Sequence, residues 1–165
     1  QSRTVYFSMG EWWSKLRFRG AKEDDFEKFT LKGIKTHARV LSVYDGDTCT
    51  VGFKWVGRNF KTSVRMLGYD SPEMRPKKTA ENREEEKKAA VAAKEFLISL
   101  TKDRIMWVEF EDFDKYGRPL ATLYTDEYAL ACCGNVRENV NEMMIANGHG
   151  YRYDGGKKQE FKAKT

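Results

Sequence analysis

Over Thr48 to Val56 the side chains alternate: Cys49, Val51, Phe53 and Trp55 fall on one face, Thr50 and Lys54 on the other. A period of two is what a strand with one buried face requires, and it excludes a helix, whose apolar positions recur every three to four residues. Such a strand needs partner strands and a layer to cover its apolar face. Its flanks supply the partners. Ile34 to Tyr44 reads as a first strand ended by Asp45-Gly46, and Gly57-Arg58-Asn59 turns the second strand into a third, Phe60 to Leu67. The first sheet is therefore a meander. Asp47 shares the parity of the apolar face and stands at its start, which aims it at the mouth of whatever that face encloses.

A helix is predicted from Asn82 to Leu100. Asn82 with Glu85 resembles a capping box, acidic residues fill the first turn, and Ala89, Ala93, Phe96, Leu97 and Leu100 recur at helical spacing. Glu84 and Lys88 stand four apart on its wet side. Ile105 to Glu111 alternates again, with Met106, Val108 and Phe110 on one side. Asp114 to Arg118 reads as a hairpin turn, and Leu120 to Tyr124 as a fifth strand. Asn141 to Asn147 is a short helix capped by Gly148. Tyr151, Tyr153, Asp154, Gly155 and Gly156 form a loop, and a basic helical tail starts at Lys157. This order predicts an α+β, mainly β fold: a five-stranded OB-type Greek-key β-barrel with about three helices, over residues 34–165.

Residues 1–33 form an N-terminal arm. Residues 1–8 read as a remnant of expression and Met9 as a native start. Met9-Gly10 with Ser14 then loosely fits an N-myristoylation signal, against which stand Glu11 and two tryptophans. Trp12, Trp13, Lys15, Leu16, Arg17, Phe18 and Arg19 interleave aromatic and basic groups. That mixture suits stacking on nucleic acid, docking of the tryptophans on the main domain, or a protein partner.

A chain of 165 residues is one domain with an added arm. Its formal charge of +5 favours an anionic partner. No run is long enough to cross a bilayer and no leader is evident, although one could have been removed. Three cysteines, Cys49, Cys132 and Cys133, with no C-x-x-C spacing, suit a reducing compartment better than a disulfide frame or a zinc site. An intracellular setting is favoured and a secreted one stays open; a monomer is expected.

The stretch Val64 to Glu73 carries the chemistry. Arg65 lies at a strand end, and Asp70 and Glu73 follow around the Ser71-Pro72 turn, where Pro72 fixes φ. One guanidinium and two carboxylates so placed suit a metal ion next to a phosphate; the plain alternative is a surface strand with a polar turn. Around it stand Asp45-Gly46-Asp47-Thr48 and, beyond the predicted helix, Asp114-Lys115-Tyr116-Gly117-Arg118. In this order, from about Lys35 to Asp154, the pieces closely resemble the staphylococcal nuclease (thermonuclease) family.

That resemblance implies a Ca²⁺-dependent endonuclease of DNA and RNA with little sequence preference, acting on single-stranded or locally melted substrate. It implies that Asp47 and Asp70 coordinate Ca²⁺, with the carbonyl of Ser71 helping and Asp45 behind them. Arg65 and Arg118 would meet the phosphate, and Glu73 would accept the water's proton or orient the water. Lys115 and Tyr116 would lie against a terminal phosphate, and Tyr151 or Tyr153 would support the base or sugar. His149 reads as incidental and Cys49 as core filler; Thr48 could help around the metal or be structural. The sequence departs from the family in a longer hairpin between Asp47 and Arg65, a shorter loop before Asp114, Ser71 where threonine is usual, and a final helix cut short. The alternative is a non-catalytic nucleic-acid-binding module of the same fold, against which Asp47, Asp70 and Glu73 argue, since they repel a phosphate.

Overall fold

The computed structural model describes residues 9–77, 82–125 and 137–156. Expectations for residues 1–8, Lys78, Cys132, Cys133 and the tail from Lys157 lie outside these, as do the side chains of Trp12 and Lys15. The chain divides into two compact units, residues 1–30 and residues 31–165. The first holds helix α1 (Met9–Phe18), which the sequence left unassigned, and a single 3-10 turn (Glu23–Asp25). There Phe18 stacks on Phe26 with ring centroids 5.9 Å apart.

The second unit is built on β1 (Lys35–Val43), β2 (Thr48–Trp55), β3 (Arg58–Met66), β4 (Tyr69–Asp70), α2 (Arg83–Thr101), β5 (Ile105–Phe113), β6 (Pro119–Tyr124), α3 (Val140–Ala146) and β7 (Tyr151–Arg152). Five strands close a barrel in the order β1-β2-β3-β6-β5. All neighbours are antiparallel except β3 and β6, which meet in parallel at Arg65–Leu120 and Met66–Ala121. This is the OB-type α+β architecture expected from the element order. The inward residues are those of the alternation: Cys49, Val51, Val64, Met106, Val108, Phe110, Ala121 and Leu123 are all buried. A bulge between Val40 and Ser42 resets the parity of β1, so that Val40 and Val43 both point inward while Leu41 stays out. Among the described residues no helix is long and apolar enough to cross a membrane.

Four local expectations are corrected. Asn82 is the N-cap of α2, but at φ −103° and ψ 33° its side chain makes no capping bond; only its carbonyl serves, accepting from Glu86 N–H at 2.9 Å. A capping side chain reaches the first free N–H groups from an extended backbone, which Asn82 lacks. The buried stripe of α2 is Ala90, Ala93, Leu97 and Thr101: it keeps Ala93 and Leu97 of the predicted face and buries Ala90 in place of Ala89, while Phe96 and Leu100 pack half-buried against the core and Glu84 on the wet side pairs with Lys87 at 3.0 Å. The β2–β3 turn is Val56-Gly57, since Trp55 already pairs with Arg58. Tyr151 and Arg152 are not loop but strand β7, paired with β4.

Two packing details position the barrel mouth. Gly46 is wedged so tightly that a Cβ there would lie 2.8 Å from those of Ala93 and Ser71, while its carbonyl accepts from the buried Tyr69 hydroxyl at 2.7 Å. The β1–β2 turn is thus clamped between α2 and β4. Asn141, buried at the start of α3, donates to the carbonyls of Leu67 at 2.8 Å and Ala121 at 3.1 Å and accepts from Leu123 N–H. It ties α3 to the end of β3 and to β6, where the sequence suggested only a helix start.

Candidate active site

Arg65 ends β3 opposite Thr48 on β2 and beside Leu120 on β6. One strand register thus brings the β1–β2 turn, the β3 end and the β5–β6 hairpin to one mouth. There the Arg65 guanidinium bridges two carboxylates, Nη1 to Asp47 Oδ2 at 3.1 Å and Nη2 to Asp70 Oδ1 at 2.6 Å. Both aspartates are buried. Asp47 also accepts from the Thr48 hydroxyl at 2.8 Å and from Ser71 N–H at 3.3 Å, and its own N–H donates to Asp45 Oδ1 at 3.2 Å. The contact that Ser71 makes here is through its N–H, whereas the sequence reading gave its carbonyl the role. Asp70 accepts from the Tyr151 hydroxyl at 3.0 Å.

Arg118 reaches the same cluster through Thr48. Its Nε and Nη2 both lie 2.8 Å from Asp114 Oδ2, and Nη1 donates to Thr48 Oγ1 at 3.4 Å. Asp114 also organises the hairpin, accepting at 2.9 Å from the N–H groups of Tyr116 and Arg118. Burial alone raises its carboxyl, but the backbone and side-chain hydrogen bonds from Arg118 outweigh this and hold it below the usual range. Gly117 takes φ +79°, the left-handed position that a tight turn assigns to glycine. Tyr116 is exposed at the tip with Lys115 Nζ 5.1 Å and the Arg118 guanidinium 5.5 Å from its ring.

Glu73 is exposed on the turn after Pro72, and its N–H donates to Glu86 on α2 at 3.2 Å, pinning the turn to the helix. Beside Arg65 opens a cleft of about 530 Å³ walled by Leu67, Leu120 and Tyr153. The Tyr153 ring lies 5.8 Å from the Arg65 guanidinium and its hydroxyl donates to Gly156 O at 2.9 Å. The two tyrosines thus part company: Tyr151 faces a carboxylate and Tyr153 a cleft. Gly150 makes this possible, because a Cβ there would strike the Tyr69 ring at 2.5 Å. His149 stacks on Phe96 at 4.5 Å, and Cys49 is core, its thiol pushed up to about 12 by burial.

The electrostatics are lopsided. Burial and then the charge of Asp45 push the Asp47 carboxyl up to about 7, against the pull of Arg65. Asp45, Asp47 and Asp70 outnumber the single guanidinium of Arg65, because Arg118 is matched by Asp114. Two buried carboxylates with such an excess fit a hard cation such as Ca²⁺, which takes oxygen ligands and accepts main-chain and water oxygens to complete its shell. Among the described residues no group of three or more His, Cys, Asp or Glu side chains gathers for a metal. Sequence reasoning missed Gly46, Tyr69 and Asp114 as supports of this mouth; the Gly46 signal was present in the D-G-D spacing, whereas Tyr69 carries none.

Fold and site together define an OB-type barrel with an acidic, arginine-bridged mouth. The staphylococcal nuclease homologue model matches residues 63–165, more than half of the chain, and the chain belongs to that family. The matched segment holds Arg65, Asp70, Glu73, Arg118 and both tyrosines, while Asp45 and Asp47 precede it. No curated protein matches the chain.

Proposed function

We propose that this barrel is a Ca²⁺-dependent phosphodiesterase that cuts DNA and RNA strands with little sequence preference. One observation carries the reading: Asp47 and Asp70 are buried together at the barrel mouth with too little positive charge around them, bridged by a guanidinium that can turn to a phosphate. A bound Ca²⁺ on Asp47 and Asp70, with Asp45 behind, would draw charge from the phosphoryl oxygens and favour attack by water. Arg65 and Arg118 flank the mouth and present planar forks to the remaining oxygens, meeting charge as it forms. Glu73, exposed on its pinned turn, takes the water's proton or orients the water. Lys115 and Tyr116 at the hairpin tip contact a flanking phosphate, and Tyr153 with Leu67 walls the cleft for a base or sugar. None of these contacts reads a base edge, which is why sequence preference is low.

A second reading, a non-catalytic nucleic-acid-binding module, draws on the same guanidinium, which already serves as counter-charge to both aspartates, so that the mouth can hold together without a metal. Cleavage of a fluorescent single-stranded oligonucleotide separates the two. Ca²⁺-dependent cutting, abolished by EDTA and by Arg65→Ala, supports the nuclease; salt-sensitive binding without cutting under any divalent ion supports the module. Within the first outcome, Arg118→Ala should slow turnover by about 10²–10³-fold, as for a lost transition-state donor. Glu73→Gln should keep nucleotide affinity and lose most turnover. Wild-type rates in both variants would refute the assignment.

A further inference from the structure

Asp47 and Asp70 reach the mouth on separate stretches of chain, the β1–β2 turn and β4. The gap between them is set by whatever ties those stretches together. Arg65 spans both carboxylates, and Ser71 N–H donates to Asp47 Oδ2 at 3.3 Å. Both links run through carboxylate oxygens, which a cation at the mouth would claim. They hold the metal-free mouth together and are given up when it is filled.

Two phenols make links of another kind, and both stand on the β4–β7 ribbon. Tyr69 is fully buried, and its hydroxyl donates to the Gly46 carbonyl at 2.7 Å. Gly46 lies between Asp45 and Asp47, and Tyr69 directly precedes Asp70. This one bond therefore joins the two acidic stretches without using a carboxylate or the guanidinium. The far side of the turn is fixed as well, since Met66 N–H on β3 donates to Asp47 O at 2.8 Å. Tyr151 stands directly across the ribbon from Asp70, and its hydroxyl donates to Asp70 Oδ2 at 3.0 Å. That bond fixes the rotation of the carboxyl and leaves Oδ1 turned to Arg65. Arg152, next along β7, pins the ribbon to α3 with two bonds to the Glu142 carboxylate at 2.8 and 3.2 Å.

We propose that Tyr69 and Tyr151 are positioning residues for a dication: Tyr69 sets the spacing of Asp47 from Asp70, and Tyr151 sets the turn of the Asp70 carboxyl. The inference rests on reading the mouth as a cation site, and it moves Tyr151 from the base or sugar to the metal ligands. Groups that hold a ligand from behind are worth about 10–100-fold in metal affinity.

The test is calorimetric titration with Ca²⁺ alone at pH 8, well below the melting temperature, of the wild type, Tyr69→Phe, Tyr151→Phe and Thr101→Val. Each variant removes one hydroxyl and keeps the shape. Thr101→Val controls for lost stability: the buried Thr101 hydroxyl donates to Leu97 O at 2.6 Å, and it lies eight residues, about 12 Å, along α2 from the Ala93 that packs on Gly46. Each tyrosine variant should weaken Ca²⁺ binding by about 10–100-fold. Thr101→Val should bind as the wild type does, whatever it loses in melting temperature. In cleavage of a single-stranded oligonucleotide, the tyrosine variants should need more Ca²⁺ for half-maximal rate by the same factor, with KM for the oligonucleotide unchanged at saturating Ca²⁺.

Wild-type Ca²⁺ affinity in either tyrosine variant overturns the proposal, as does an equal loss in Thr101→Val. A raised KM in Tyr151→Phe with Ca²⁺ affinity intact overturns it in favour of a nucleotide contact. Should Tyr69→Phe not fold, the Tyr69 hydroxyl proton of the wild type decides, followed by NMR: slow exchange with solvent both with and without Ca²⁺ supports the tie, and fast exchange once Ca²⁺ is bound refutes it. If the wild type binds no Ca²⁺, or binds it equally well after Asp70→Asn, the cation reading of the mouth falls and this one with it. Ca²⁺ binding that depends on both tyrosines, with no cutting at all, leaves the proposal standing and removes only the nuclease.

Discussion

At neutral pH the Asp47 carboxyl has Asp45 behind it, Asp70 beside it and protein on nearly every other side. Thr48, Ser71 N–H and Arg65 hydrogen-bond it, yet burial and the Asp45 charge still hold it near 7, far above the 3.8 of an unhindered aspartate. Between these values the folded chain binds more protons than the unfolded one, so this residue's contribution to stability falls as pH rises from about 4 to about 7. Above that window the ionised Asp47 strains the metal-free fold. Asp47→Asn removes the charge and keeps the shape. In EDTA it should raise the melting temperature at pH 8 by at least about 2–4 °C, the equivalent of about 1 kcal/mol, and the gain should shrink towards zero at pH 4.5. A loss of stability of similar size at both pH values would instead mark Asp47 as a well-paired structural carboxylate. The same substitution should abolish Ca²⁺-dependent cutting, so stability and activity move in opposite directions.

Among the elements, the β2–β3 hairpin carries the clearest local conflict. Val56 and Gly57 form its two-residue turn, both with positive φ, 45° and 75°. Such a turn suits Asn-Gly; a β-branched residue in the left-handed region crowds its own backbone. Val56 is 80% exposed, so little packing offsets the strain. Val56→Asn should stabilise the chain by about 0.5–1 kcal/mol, seen as a higher denaturant midpoint with an unchanged slope. A lower midpoint would mean that Val56 packs on something. The barrel strands were legible because alternation is a local signal, read residue by residue from Ile34 to Tyr124. The turn at Val56 was not, since valine there reads as more strand. Strand β7 escaped because two residues have no period, and its partner β4 lies more than 80 positions away. On α2 the pair Ala89-Ala90 blurs which alanine faces the core, so Ala90 is buried where Ala89 was expected, while Ala93 and Leu97 are buried as read. At the mouth, the residue types stood in the sequence as D-G-D, R and D-S-P-E. That Arg65 would bridge Asp47 and Asp70 depends on pairings between strands that no local spacing displays, whereas the hold of Asp114 on Arg118 lies within the single D-K-Y-G-R turn.

For the molecule as a whole, the charge pattern divides by place. The surplus of +5 lies over the whole sequence, while the barrel mouth concentrates carboxylates. A phosphate strand drawn to the net-positive chain would be repelled at the mouth unless a cation sits there, so metal and strand should bind with positive coupling. The metal half of this coupling is measurable without substrate. If Ca²⁺ binds the folded mouth and not the unfolded chain, it stabilises by about 2.7 kcal/mol at a hundredfold excess over Kd, which is about 5–10 °C in melting temperature. Mg²⁺ should give less, because it demands tighter octahedral geometry and sheds water reluctantly. The rise should be full at pH 8 and fade below about pH 7, where protons compete for Asp47. Asp70→Asn should remove it while leaving the barrel folded. Melting curves of wild type and Asp70→Asn, with Ca²⁺, Mg²⁺ or EDTA at pH 8 and pH 5.5, decide the matter. A shift that survives Asp70→Asn would put the ion elsewhere. No shift at pH 8 with millimolar Ca²⁺ would leave Arg65 as the counter-charge of Asp47 and Asp70, and the binding module as the better account of the protein.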